Sequence, residues 1–334
     1  MTAAVLTRRR STASGLRPID VRRDLAAVAG LIETAFAGRL DSNGRRMLRE
    51  MRMAGKAGWL GSLVAWLFLP AMAPPQGFVW EEDGRVVGNA SLLRVEGHRE
   101  RWVLANVAVQ AEFRRRGIAR RLTQACLDLA WQRRVSKVLL QVDADNLGAA
   151  ALYTSLGFRR LTTRTTWTHP PGKALLPEPA HGLARRRTAD EWKEQWALAS
   201  RLHPEGLVWP FPLQLEWFRP GPMSEPWGLR GRGQWIWPSS GPIAGSLTAR
   251  WATDRPGWRL ILVVTPAGRG LAELALLREA LAEAEAQRAA LVLDYPPGPA
   301  DAQLRQTGWR PERTLAWMSV DLWGAAGVDP HRGD

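Results

Sequence analysis

Arg114, Gly117 and Ala119 stand at the spacing Arg-x-x-Gly-x-Ala, inside the run Gln110-Ala-Glu-Phe-Arg-Arg-Arg-Gly-Ile-Ala-Arg-Arg-Leu-Thr123. These residue types in this order suit the capture of a diphosphate. Gly117 and Ala119 keep side chains small, so an anion can approach the backbone. Arg114, Arg115, Arg116 and Arg120 add positive charge and guanidinium donors. The chemistry also needs free N–H groups turned outward, and the start of a helix supplies them. The flanking sequence fits that demand. Val103 to Val109 reads as an apolar strand, and an amphipathic helix follows the turn to about Arg134. Taken alone, an arginine-rich helix start is as often a plain solvated turn.

A second signal follows the next strand, Val138 to Val142. It is Asn146-Leu-Gly-Ala-Ala-Ala-Leu-Tyr153, then Leu156-Gly157-Phe158. The two motifs together resemble the GCN5-related N-acetyltransferases (GNAT), whose pattern is Arg/Gln-x-x-Gly-x-Gly/Ala followed by Asn-x-x-Ala-x-x-Leu-Tyr and Gly-Phe. The specific resemblance covers Val103 to Arg160, and the order of elements extends it over roughly 15–170.

The resemblance implies acetyl-CoA as cosubstrate and a strand that splays from its parallel neighbour to admit the pantetheine arm. Backbone groups of Val107, Ala108 and Val109 would bind that arm and the thioester carbonyl. Arg114, Arg115, Arg116, Gly117, Ile118, Ala119 and Arg120 would surround the pyrophosphate. Asn146 would hydrogen-bond the arm, and Tyr153 would lie near the sulfur. An amine would attack the thioester directly, with backbone N–H groups stabilising the oxyanion and Tyr153 protonating the departing thiolate.

An amine with an ordinary pKa near about 10 must first lose a proton. Glu96 is the candidate base, against the plainer reading of a solvated strand-end carboxylate. Asp143 is another candidate, and His98 could join a relay. Asn106, an amide, could only position water or substrate. Glu112 reads as a loop charge and Cys126 as a core thiol.

These residues need a scaffold, and the chain spells its plan twice. Strand, Arg/Gly turn, helix, strand, polar turn, short helix, Gly-aromatic pair and closing strand run from Val103 to His169. The same order returns as Trp258 to Val264, Gly268-Arg-Gly-Leu-Ala272, a helix to about Gln287, Ala290 to Tyr295, Gly308-Trp309 and Thr314 to Leu322. Asp83-Gly84 between apolar runs predicts a hairpin.

The expected fold class is α/β with a mixed sheet (α+β), as two tandem GNAT-like domains. The expected division is a disordered arm over 1–14, a catalytic domain over 15–170, a linker over 171–181, a degenerate copy over 182–325 and a tail over 326–334. The second copy keeps Arg269 alone where the first has three adjacent arginines, and it lacks the asparagine and the helix tyrosine. It is therefore read as a copy that does not bind acetyl-CoA productively.

Composition narrows the partners. The 334 residues carry a net charge of +14 and one cysteine. Residues 1–175 hold 28 Lys+Arg against 14 Asp+Glu, whereas residues 176–334 hold 18 against 18. The excess charge thus lies in the half with the arginine turn, as an anionic cofactor requires. Nucleic acid would also answer that charge, but no reading motif accompanies it. The lone cysteine fits a cytoplasmic protein without disulfides, and the scattered histidines predict no metal site.

The apolar run Trp59 to Leu69 stops at Pro70, too short for a bilayer span. It reads as a buried helix or a lid. Twelve of the 18 tryptophans fall at or beyond Trp192 and are expected in the core. The acceptor is expected to be an amine of a small molecule or protein, and the sequence sets no oligomeric state. The tandem plan also resembles the mycothiol synthases in architecture. A non-catalytic acyl-CoA sensor or scaffold is the remaining class.

Overall fold

The computed structural model describes residues 14–38, 42–56, 76–95, 97–172, 184–209, 211–220, 233–252, 255–298 and 300–323. Glu96, the apolar run 59–69 and most of the expected linker lie outside the described residues. The chain divides into two compact units, one of residues 1–140 with 320–334 and one of residues 141–319.

The first unit opens with β1 (Gly15–Pro18), α1 (Leu25–Ala35) and α2 (Ser42–Lys56). β2 (Gln76–Glu82) and β3 (Arg85–Val95) form the expected hairpin. Asp83 and Gly84 sit at φ 48° and 78°, the two positive values that a tight turn between twisted strands requires. β4 (His98–Val109), α3 (Ile118–Gln132) and the start of β5 (Lys137–Asp143) complete it. The sheet order is β1-β2-β3-β4-β5. Its strands are antiparallel except for the β4–β5 pair.

Helical spacing of apolar residues explains both main helices. α1 buries Leu25, Val28, Leu31 and Ile32. α3 buries Ile118, Leu122, Cys126 and Ala130. Burying each leucine or isoleucine favours the fold by about 1.5–3 kcal/mol. Cys126 is fully buried, its Sγ 3.7 Å from the Ala90 carbonyl, and burial pushes its thiol pKa up. It is a core residue and no nucleophile. At the other end of the chain, Leu322 donates its N–H to Ser136 O, Asp321 pairs with Lys137, and Trp323 stacks on Trp131.

The second unit contains α4 (Leu147–Ser155), β6 (Arg159–His169), β7 (Arg185–Arg186) and α5 (Trp192–Leu202). β8 (Leu207–Val208) pairs with β9 (Phe211–Pro212) across the Trp209 turn. Then come β10 (Gly233–Trp237), β11 (Gly245–Trp251), β12 (Trp258–Val264), α6 (Ala272–Gln287), β13 (Leu291–Tyr295), α7 (Ala300–Gln306) and β14 (Arg310–Asp321). The sheet order is β14-β6-β13-β12-β11-β10-β7, and only β12 and β13 run parallel.

Several tryptophans here are core residues, whereas Trp251 is exposed. Trp167, Trp235, Trp258 and Trp309 share one buried cluster, and Trp217 anchors another. β6, the strand that closes the first copy in sequence, takes its backbone partners in this unit. It pairs with β13 from His169 to Thr165 and with β14 from Thr168 to Arg159.

Candidate active site

In the first unit, β4 and β5 pair only over Arg101 to Val103 and Lys137 to Leu139. β4 then runs on to Val109 without a partner on that side, while its other edge stays bonded to β3. The parallel strands therefore part before Val107, Ala108 and Val109. Parting strands leave a row of backbone donors and acceptors that an extended ligand arm can satisfy.

A bulge sharpens this geometry. Ala105 faces Ser91 and Ala108 faces Asn89, so Asn106 and Val107 together face Ala90. Asn106 adopts φ 56°, a left-handed conformation that asparagine tolerates better than most residues. The fully buried Asn89 donates its Nδ2 to the Asn106 carbonyl at 2.9 Å and to Ser91 Oγ at 3.2 Å. That amide braces the bulge, and a hydrogen bond of this kind contributes about 0.5–1.5 kcal/mol. Asn89→Ala is expected to lower unfolding stability by this amount. Urea denaturation that places the variant within experimental error of the parent would remove Asn89 from this role.

After β4 the chain makes a single helical turn at Ala111–Phe113, and Gly117 then caps α3 at φ 76° and ψ 0°. No side chain caps the helix and no acidic residue lies in its first turn. Its first N–H groups thus face outward at the positive end of the helix dipole, among the described residues without a carboxylate to occupy them. Ile118 is buried and locks the turn to the sheet, while Arg120 is exposed and Ala119 half-buried. Gly88 on β3 makes that approach possible, since a Cβ there would meet Ile118 and Leu122 at 3.0 Å.

The arginines have separate tasks. Arg114 turns its Nε back onto the Val109 carbonyl at 3.1 Å, fastening the turn to the strand end. Arg116 lies 4.9 Å from the Phe113 ring and donates to the Glu112 carbonyl. Arg115 is exposed with φ 63°. Arg121, next on the helix, lies 5.5 Å from the Trp80 ring.

Asn146 and Tyr153 belong to the second unit. Asn146 caps α4, its Oδ1 accepting from the Ala149 N–H at 3.1 Å. Tyr153 is buried, with Phe158 edge-on at 5.8 Å, and burial pushes its phenol up to about 12. Asp143 accepts from the Asn146 N–H through its backbone carbonyl. His98 is half-buried and Glu112 exposed. Among the described residues no group of three or more His, Cys, Asp or Glu is placed to hold a metal, and no helix is long and apolar enough to cross a membrane.

Residues 48–158 match the model of the acetyltransferase (GNAT) family. That segment is similar to the domain of this family. The chain's fold likeness extends further. A GCN5-related N-acetyltransferase from Sphaerobacter thermophilus superposes with a TM-score of 0.54 at 17 % identity, over 94 % of this chain and 96 % of that one. This likeness is one of fold and runs through both units.

Among curated relatives, N-alpha-acetyltransferase 30 of Schizosaccharomyces pombe is 36 % identical over 90 residues, which is 26 % of this chain and 59 % of that protein. Mycothiol acetyltransferase of Kocuria rhizophila is 31 % identical over 147 residues, covering 43 % of this chain and 46 % of that one. The chain thus spans less than two thirds of the length of these relatives.

The second GNAT-like copy repeats the parting of strands. β12 pairs with β13 only over Trp258 to Leu260, then continues to Val264. Gly245, opposite Val264, admits α6 as Gly88 admits α3; a Cβ there would meet Ala272 at 3.0 Å. The β11–β12 register runs without interruption, so this pair has no counterpart of the Asn106 bulge. Asn89, Gly88 and Gly245 were missed in the sequence. The glycines could have been found, since each lies inside an apolar strand pattern, where glycine marks close backbone approach.

Proposed function

We propose that this chain is an acetyl-CoA-dependent N-acetyltransferase whose first copy, 15–170, transfers the acetyl group to a primary amine by direct attack on the thioester. The observation that carries the reading is the pairing of two features in one unit: β4 parts from β5 after Val103, and the strand leads into a helix start with no cap and no acid. Pantetheine would lie along Val107 to Val109, with the diphosphate at Arg115 to Arg120. Acetyl-CoA supplies the activated acyl group.

The chain's own contribution is to hold the thioester carbonyl against backbone N–H groups and so stabilise the developing oxyanion. Arg114 fixes the turn through Val109. Asn146, its Oδ1 committed to the helix cap, would donate through Nδ2. Tyr153 would serve as the acid, following the family motif. Glu96 stays the proposed base on sequence grounds.

The acceptor class is a primary amine. The relatives are named as an N-alpha-acetyltransferase and a mycothiol acetyltransferase, and the 31 % identity to the latter across 43 % of the chain supports a small amine of a sugar conjugate as a second reading. A cytoplasmic location is part of the proposal, since a single cysteine fits a compartment that keeps thiols reduced. The test is release of free CoA from acetyl-CoA by the full chain, screened against N-terminal peptides, lysine peptides, polyamines and amino sugars. Tight acetyl-CoA binding with no amine-stimulated release across that panel would favour the sensor class and sink the enzyme.

A further inference from the structure

The two helix starts differ at one position in a way that inverts their charge. With Gly117 set against Gly270 and Ala119 against Ala272, Arg120 of the first copy corresponds to Glu273 of the second. Arg120 is exposed on α3. Glu273 is 3 % exposed in the first turn of α6. Its Oε2 accepts from the Gly270 N–H at 2.8 Å, and its Oε1 accepts from the Tyr295 hydroxyl at 2.9 Å. Tyr295 ends β13, on the far side of the gap that opens between β12 and β13. The preceding residue, Asp294, binds Arg259 of β12 and the Thr166 hydroxyl of β6.

We infer that Glu273 is a built-in anion that occupies, in the second copy, the place a diphosphate takes in the first, and so excludes diphosphate-bearing nucleotides from that copy. The carboxylate meets the same demands that a phosphate would meet. It takes up the glycine N–H at the positive end of a helix, and it carries negative charge there. Burial and the Glu273 charge both push the Tyr295 phenol up, so its proton stays in place as the second donor. A ligand phosphate arriving at α6 would have to displace a buried, doubly bonded carboxylate of like charge. The second copy thereby keeps the acyl-CoA architecture while its anion site is satisfied from within. Loss of the adjacent arginines alone would leave a weakened site; Glu273 closes it.

The experiment uses the full chain in a background of Arg115→Ala, Arg116→Ala and Arg120→Ala, so that the response comes from the second unit. Inorganic pyrophosphate is the probe, read by calorimetry and by thermal shift. The background chain is expected to show no saturable binding. Adding Glu273→Ala should create one pyrophosphate site per chain, at least tenfold tighter than any residual binding of the background, with a ligand-dependent recovery of melting temperature. If Glu273→Ala does not fold, Glu273→Gln carries the same measurement, since it keeps the packing and an acceptor for the Tyr295 hydroxyl while removing the charge that repels pyrophosphate. Equal pyrophosphate response with and without Glu273 would overturn the inference. The outcome does not depend on whether the first copy turns over an amine.

Discussion

Replacing Gly117 by valine is expected to weaken acetyl-CoA binding on the order of 10²-fold while leaving the fold in place. Gly117 sits at φ 76°, where a side chain costs about 1–2 kcal/mol, more when β-branched. A Cβ built there meets no atom within 4 Å, so the empty protein has room for it. That room is the space in front of the α3 N–H groups, where the diphosphate is proposed to lie. Valine would both fill it and turn the N–H groups away. Each factor of ten corresponds to about 1.4 kcal/mol, so strain and blockage together reach the stated loss. Gly117→Ala should fall between the two. Calorimetric titration with acetyl-CoA checks the series, and equal affinities across it would move the diphosphate elsewhere.

Tyr153→Phe is expected to lower kcat by about 10²-fold, within the usual range for loss of a general acid, and to leave the KM for acetyl-CoA nearly unchanged. The ring's edge-on packing with Phe158 survives the substitution, so stability should hold. Burial holds the phenol at about 12, which keeps it protonated throughout the neutral range. An ordinary thiol titrates near about 8.5, so such a phenol serves the departing sulfur chiefly as a hydrogen-bond donor that passes its proton late. The pH–rate profile of the parent should accordingly show no falling limb from Tyr153 below about pH 11. Undiminished turnover in the phenylalanine variant removes Tyr153 from the chemistry.

The sequence was most readable where chemistry and local geometry coincide. The arginine–glycine turn, the β2–β3 hairpin and strands such as Trp258–Val264 fall where period and turn residues put them. The same holds for the α6 terminus at Gln287. The bulge at Asn106 was less readable. Asparagine favours the left-handed region, but the residue's type spoke first of a polar side chain for water or substrate. Only the buried Asn89 amide seventeen positions earlier reveals the backbone role.

Glu273 was hidden for a similar reason. An acid in the first turn of a helix is ordinary, and its significance rests on Tyr295, which the chain reaches only after the whole of α6. Glu96 and the run 59–69 fall outside the described residues, so the proposed base and lid remain readings of sequence. The partners of β6 were beyond local reading altogether, because period-2 alternation says which face is buried but not which strand lies alongside.

Those partners have a kinetic meaning. Thr166 bonds to Asp294 across 128 positions, and Thr165 to Thr314 across 149. Trp131 of the first unit likewise stacks on Trp323. Contacts of such long sequence separation slow folding, since the loop they close must be ordered before they form. On the ribosome, the β6–β14 register and the Trp131 stack must both await the emergence of β14 and Trp323, more than about a hundred residues after their partners.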